Sequence, residues 1–167
     1  MHLEPLFRLQ VDLGRRHRIG QVPKGSRNVW ELTGGQVVGP KVKGVVLPLG
    51  GEFELVDEDR VCHIDVRLVI RTESGSNIYV QYYGVAETPA AVREKYRCGD
   101  AVDFGESYFV TQPRFETSDP ELSWLNHTIA IAEGRGHAGG VEYLVYRAVP
   151  EAGVGLARAG QVFGLLE

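Results

Sequence analysis

The stretch from Val61 to Thr72 constrains the fold more than any other part of the chain. Successive side chains of a β-strand point to opposite faces of the sheet. The apolar face of this stretch consists of Ile64, Val66, Leu68 and Ile70. The other face carries His63, Asp65, Arg67 and Arg71. The alternation predicts a strand with one buried face, and it leaves open whether the polar face meets water or encloses a ligand.

Further short β-type segments recur along the chain, separated by glycine-rich turns. One short helix is predicted from Ala90 to Arg97, with Thr88 as its N-cap and Gly99 as its end. A turn or helical turn is predicted from Ser118 to Trp124. The predicted strands are 3–13, 28–33, 36–38, 42–47, 52–56, 61–72, 77–83, 106–112, 128–132 and 141–149. This pattern is typical of an antiparallel barrel or sandwich.

The chain of 167 residues suits a single core. We expect a β-barrel domain over residues 1–149 and a C-terminal tail over residues 150–167, either docked or disordered. A basic segment from Gly14 to Gly25 is interpreted as a loop whose arginines form a solvated rim.

Composition argues against two classes of partner. Lys and Arg number 18 against 22 Asp and Glu, so we expect no nucleic acid partner. The longest apolar runs are far shorter than the roughly 20 residues of a spanning helix, so we expect no membrane span. The N-terminus has no export pattern, which predicts a cytoplasmic protein in which Cys62 and Cys98 are reduced.

Asp65 and Arg67 are the first candidate functional residues. Residues two apart on a strand share a face, so the two side chains can form a charge-assisted hydrogen bond. If that face is enclosed, burial raises the pKa of the aspartate and the arginine lowers it, and the balance decides whether Asp65 can accept a proton. A purely structural ion pair is the alternative.

A second cluster of candidates is aromatic and polar. Aromatic walls with a few fixed polar groups are typical of a concave site for a flat, oxygenated ligand. An aromatic core with a salt-bridged loop is the alternative. The candidates are Tyr108, Arg114, Phe115, Glu116, Trp124 and Asn126.

No cofactor or metal is predicted. The glycines from Gly134 to Gly139 match a dinucleotide-binding fingerprint, but a β-type segment follows where the fingerprint needs a helix. A hairpin turn is therefore predicted there. A zinc site would need distant residues such as His63, Asp65 and His127.

Several short motifs, taken in order, resemble the domain of unknown function 3237 family. They include the glycines from Gly34 to Gly44, the strand holding Asp65 and Arg67, and the segments 108–117 and 124–126. The resemblance covers residues 3–149. It implies a small antiparallel, calycin-like β-barrel with an internal pocket into which Asp65 and Arg67 point. It also implies cofactor-free chemistry on aromatic or polyketide-type compounds.

Two functions from different classes follow. The first is a cofactor-independent lyase, cyclase or isomerase that acts by proton transfer on an oxygenated aromatic or polyketide-like molecule. Its catalytic residues would be Asp65, Arg67, Tyr108 and His63, and its substrate-binding residues Arg114, Glu116, Trp124, Asn126 and Phe115. The alternative is a non-catalytic barrel that binds a small hydrophobic or aromatic ligand. A homo-oligomer assembled through edge strands or the tail is a further possibility.

Overall fold

The computed structural model describes residues 1–151. The predicted tail therefore lies, from residue 152 onward, outside the described residues. The helices are α1 (Ala90–Cys98) and a 3₁₀ helix (Pro120–His127). The strands are β1 (His2–Val22), β2 (Gly25–Val38), β3 (Lys43–Glu52), β4 (Leu55–Val56), β5 (Cys62–Thr72), β6 (Asn77–Glu87), β7 (Tyr108–Glu116), β8 (Ala130–His137) and β9 (Gly140–Val149).

The strand pairings close on themselves. The order runs β1-β9-β8-β7-β6-β5-β3-β2, and β1 pairs with β2 as well as with β9. The short β4 pairs with β2 and β5 at one end. All pairings between described strands are antiparallel. The prediction of a mainly β, antiparallel barrel-like fold with one or two short helices is confirmed.

The apolar face of β5 packs in the interior. A barrel of about eight strands is just wide enough to be filled by side chains. The four apolar residues of β5 pack with inward-facing side chains of the other long strands to form one core. Among the most buried are Leu9, Val11, Val37, Val80, Tyr82, Ala132, Tyr143 and Val145.

Each end of the barrel is covered by one helix. α1 covers the end where β6 finishes and β7 begins, and Val92 is its buried residue. It ends at Gly99, whose left-handed backbone caps the last turn as predicted. The N-cap position is Pro89 rather than Thr88, because Pro89 already has extended backbone. The 3₁₀ helix covers the other end with Leu122 and Leu125. No helix within residues 1–151 is long and apolar enough to cross a membrane.

The segment from Gly14 to Gly25 is not a loop, contrary to the prediction. β1 continues through it and pairs with β2 as far as Val22 opposite Gly25. Beyond Asp12, β1 pairs with β2 but no longer with β9. The segment is therefore an arm that extends past the barrel, and its solvent-exposed side chains have no need of the apolar alternation that marks a strand.

Strand β3 contains an irregularity that turns Glu52 toward the interior. Val46 lies opposite Ile70 and Gly50 lies opposite Leu68, so β3 has two extra residues at this point. Gly50 has a φ of +98°, and a Cβ there would lie 2.1 Å from the carbonyl oxygen of Arg67. Only glycine fits this bulge. After it, Glu52 returns to the inner face.

Candidate functional site

Asp65 and Arg67 lie on the outer wall of the barrel, so the prediction that they point into an internal pocket is wrong. Their side chains are 30% and 39% exposed, respectively. The reason is the apolar face of the same strand: with four aliphatic residues in the core, the alternate residues must face outward. The predicted ion pair does form, with Arg67 donating to Asp65 over 2.9 Å.

The surroundings of this pair are those of a surface network. Arg67 also donates to the hydroxyl of Tyr83, which is 52% exposed. Its guanidinium lies 5.8 Å from the ring centroid of Phe53, another exposed side chain. His63 likewise faces outward and bonds to Asp57 at 2.7 Å, and this hydrogen bond lowers the pKa of Asp57.

The remaining predicted residues do not assemble into one site. Tyr108 is exposed at the start of β7, near the end of the barrel that α1 covers. Arg114 is exposed farther along β7, while Phe115 is buried and meets Phe7 edge-on with centroids 5.7 Å apart. Trp124, in the 3₁₀ helix, is partly buried below the Lys41 ammonium.

Glu116 and Asn126 do come together, but on the outside. Both line a surface groove with Tyr79 at the end covered by the 3₁₀ helix. The amide of Asn126 accepts from the backbone of Thr117 and donates back to it, which is a loop-fixing role. The predicted residues therefore lie in separate places within the described structure: some on the outer wall, one in the core and others near the two ends of the barrel.

The interior instead holds a carboxyl group, that of Glu52. Residues directly opposite each other on neighbouring strands share a face of the sheet. Trp30 lies opposite Glu52, Glu52 opposite Val66, and Val66 opposite Tyr82. Because Val66 is a core residue, the whole row points inward. Glu52 is 7% exposed.

Glu52 has no cationic partner among residues 1–151. Burial raises its pKa to about 7, and the nearby carboxylate of Glu54 adds to the rise. A carboxyl group with such a pKa exchanges protons readily near neutral pH. This combination is typical of an acid–base residue rather than of a structural ion pair.

Two tyrosine hydroxyls accompany Glu52. Tyr82 and Tyr143 are each 1% exposed, and their rings meet edge-on with centroids 5.3 Å apart. Within the described residues neither hydroxyl makes a hydrogen bond of good geometry, although the two hydroxyls lie close enough to shift each other's pKa. Burial raises the pKa of both, and the negative charge of Glu52 contributes to both shifts. The hydroxyls therefore stay protonated and can donate to an oxygen atom in the interior.

Glu54 and Cys62 complete the cluster. Glu54 accepts hydrogen bonds from Asn28 over 2.6 Å and from the indole of Trp30 over 3.3 Å. Donor atoms of Glu52, Glu54 and Cys62 lie within 4.8 Å of one another. Burial raises the pKa of the Cys62 thiol, so this group is protonated when no metal ion is bound. The two carboxyl groups repel each other when both are ionised, which favours a proton on one of them.

A cavity of about 670 Å³ opens at the end of the barrel that α1 covers, near the cluster of Glu52, Glu54 and Cys62. We call it the mouth cavity. Its lining residues are Leu13, Gly14, Arg16, Trp30, Tyr96, Gly99, Asp100, Gly136, His137, Ala138, Gly139 and Gly140. Trp30 belongs to both features, because its ring lines the cavity while its indole nitrogen bonds to Glu54. The cavity is in the size range of sites for small organic molecules.

Sequence reasoning missed Glu52, Glu54, Tyr82 and Tyr143. The predicted strand 52–56 begins at Glu52, directly after Gly50 and Gly51, and the first residue of a strand has no face assigned by alternation. The signal that could have found it is an acidic residue directly after two glycines within a strand pattern, since a bulge reorients side chains. The glycine-rich segment after Gly134 does form a hairpin, as predicted, with β8 ending at His137 and β9 starting at Gly140.

Several known proteins are similar to this chain in sequence or in fold. A UPF0311 protein of Rhodopseudomonas palustris is 30% identical over 133 residues, covering 80% of this chain and 87% of the relative. A β-barrel-like protein from Acinetobacter baumannii is 33% identical, with a TM-score of 0.76 over 87% of this chain and 94% of that one. These likenesses agree with the closed pairing of the strands.

A third likeness concerns the fold alone. A structure described as an enzyme from Penicillium herquei is 23% identical, with a TM-score of 0.65 over 88% of this chain and 94% of that one. The sequence profile of a family described as protein of unknown function DUF3237 matches residues 1–148. Because that match spans most of the chain, the protein belongs to the DUF3237 family.

Proposed function

We propose that the protein is a cofactor-independent enzyme that transfers protons to and from an oxygenated aromatic or polyketide-like molecule, with Glu52 as the acid–base residue. The observation that carries the proposal is a buried carboxyl group without a cationic partner among the described residues, beside two buried tyrosine hydroxyls without partners. One solved structure of this fold is described as an enzyme, which agrees with catalysis as a class.

The reaction step uses groups of this chain only. The Glu52 carboxylate takes a proton from a carbon next to a carbonyl group, and the electrons of the broken C–H bond form an enolate. Tyr82 and Tyr143 donate hydrogen bonds to the enolate oxygen, where the negative charge collects. Glu52 then returns the proton to a carbon or to the oxygen of the enolate, which gives an isomeric ketone or an enol. A pKa of about 7 lets the same group act in both directions.

Substrate would enter from the mouth cavity. Trp30 lines the cavity, and its indole nitrogen donates to Glu54 of the acid cluster over 3.3 Å. A change in the side-chain torsion of Trp30 would open a path from the cavity toward Glu52. The ring would then serve as a stacking wall for a flat substrate.

The test uses β-tetralone, a ketone fused to a benzene ring, with acidic C–H groups next to its carbonyl. Deuterium uptake from heavy water is followed by NMR in the wild type, in Glu52→Gln and in Asp65→Asn. We expect exchange above the buffer rate in the wild type, a loss of about 10²-fold or more in Glu52→Gln, and no change in Asp65→Asn. Retained exchange in Glu52→Gln would remove Glu52 from the mechanism. Loss of exchange after EDTA treatment would point to a metal and contradict the proposal.

A second function is a binding barrel without chemistry. It is favoured by one observation: Glu52 is not among the residues that line the mouth cavity. Saturable binding of β-tetralone by the wild type without exchange above the buffer rate would support this function and exclude proton transfer on this ketone.

A further inference from the structure

We propose that the mouth cavity selects ligands that carry a carboxylate, and that Arg16 is the residue that binds it. This inference rests on the proposed function, because it names the chemical class of the substrate that would enter at this end of the barrel. It concerns the rim of the cavity, whereas the proton-transfer proposal concerns the interior.

The position of Arg16 is fixed by the register of the arm. Arg16 lies opposite Trp30 on β2, so both side chains share the inner face. The guanidinium carbon lies 5.4 Å from the centroid of the Trp30 ring. Stacking on an aromatic face orients the planar guanidinium while leaving its N–H groups free to donate.

The described part of the chain does not neutralise the charge of Arg16. Within residues 1–151 it forms no ion pair and no side-chain hydrogen bond, unlike Arg135, which pairs with both Glu142 and Asp103. A guanidinium presents a fork of donors that matches a carboxylate in a bidentate geometry.

The rest of the arm reinforces the preference for an anion. Residues 14–25 contain three arginines and one lysine and no acidic residue. Among the described residues that line the cavity, Asp100 carries the one carboxylate, and it is exposed. Leu13, Trp30 and Tyr96 supply apolar and aromatic wall. A flat hydrophobic body with one carboxylate fits this distribution of charge and apolar surface.

The experiment compares three probes of similar shape and different charge: naphthoate, naphthol and naphthylmethylamine. Binding at neutral pH is measured by fluorescence titration. We expect naphthoate to bind about tenfold more tightly than naphthol, and the amine to bind most weakly. Arg16→Gln is expected to remove this advantage without changing naphthol binding. Arg16→Lys keeps the charge but loses the forked pair of donors. Its affinity for naphthoate is expected to lie between those of the wild type and Arg16→Gln.

The matched control is Arg71→Gln, which removes the same charge at the other end of the barrel, where Arg71 bonds to Asn77. We expect naphthoate binding to be unchanged in this variant. Equal binding of naphthoate and naphthol by the wild type, tightest binding of the amine, or equal losses in Arg16→Gln and Arg71→Gln would each overturn the inference.

The outcome separates this inference from the proposed function. β-Tetralone is uncharged, so its exchange does not depend on the carboxylate preference. Loss of the Arg16 effect with exchange intact would overturn the carboxylate assignment alone. The reverse result would support the carboxylate assignment and overturn proton transfer by Glu52.

Discussion

Glu52 and Glu142 are two buried glutamates on opposite faces of the barrel sheet, Glu52 on the inner face and Glu142 on the outer face. Their exposed fractions are 7% and 6%. Glu142, on the outer wall of β9, accepts from Arg8 and from Arg135, the latter over 2.8 Å. Glu52, on the inner wall of β3, has a second carboxylate as its neighbour instead. Burial alone therefore does not distinguish the two, whereas charge compensation does.

The difference indicates which glutamate is structural. A buried carboxylate that is paired and hydrogen-bonded holds its neighbours in place. A buried carboxyl group without a cation destabilises the fold when it ionises, and such a cost is typical of functional sites. The same Glu→Gln substitution should therefore have opposite effects on stability at the two positions.

The largest expected effect is the pH dependence of Glu52→Gln. The pKa of Glu52 is raised from 4.5 to about 7 in the folded protein, so the unfolded chain releases this proton at lower pH. The stabilisation from the protonated form is complete below about pH 4.5 and is lost as pH rises through about 7. The total loss is about 3 kcal/mol.

Glu52→Gln should abolish this dependence. Urea unfolding of the variant and the wild type between about pH 4 and pH 9 gives the free energy of unfolding of each. We expect the variant to gain about 3 kcal/mol relative to the wild type across that range. If the two pH profiles are parallel, the pKa of Glu52 is the same in the folded and unfolded chain. That result would contradict its assignment as a proton carrier near neutral pH.

The next effect has the opposite sign. Glu142→Gln leaves the guanidinium groups of Arg8 and Arg135 without their shared carboxylate. Because Arg8 is 56% exposed, water replaces part of the lost interaction. We expect a loss of about 2 kcal/mol in the free energy of unfolding at neutral pH, measured by urea unfolding. A gain in stability would mean that the pair does not compensate Glu142.

A smaller effect is expected at Tyr143. Its hydroxyl is buried without a partner among the described residues, so its removal relieves a desolvation cost. Tyr143→Phe should raise the free energy of unfolding by about 1 kcal/mol while slowing β-tetralone exchange. Thermal unfolding and the NMR assay measure the two. Tyr146→Phe, a partly exposed position on the same strand, serves as the control and should change neither.

The architecture was predictable from local patterns, and the site was not. The alternation in β5 is a property of neighbouring residues, and it correctly predicts the strand and its buried face. That pattern by itself also places Asp65 outside, because the interior of a small barrel is filled by the apolar face. The family resemblance directed the prediction to the wrong wall. The position of Glu52 depends on the bulge at Gly50 and on closure of the sheet, which are properties of distant pairings.

The smallest effect is expected at Asp65, the residue that the sequence favoured most. Its carboxylate pairs with Arg67 on the outer wall, where both side chains are about one-third exposed. Exposed ion pairs contribute little because water and salt screen them and because ordering two side chains costs entropy. Asp65→Asn should therefore change the free energy of unfolding by less than about 0.5 kcal/mol and leave β-tetralone exchange intact. Urea unfolding and the exchange assay measure both, with Glu52→Gln in parallel. A large loss of exchange in Asp65→Asn, with exchange intact in Glu52→Gln, would reverse the assignment of the two walls and place the chemistry outside the barrel.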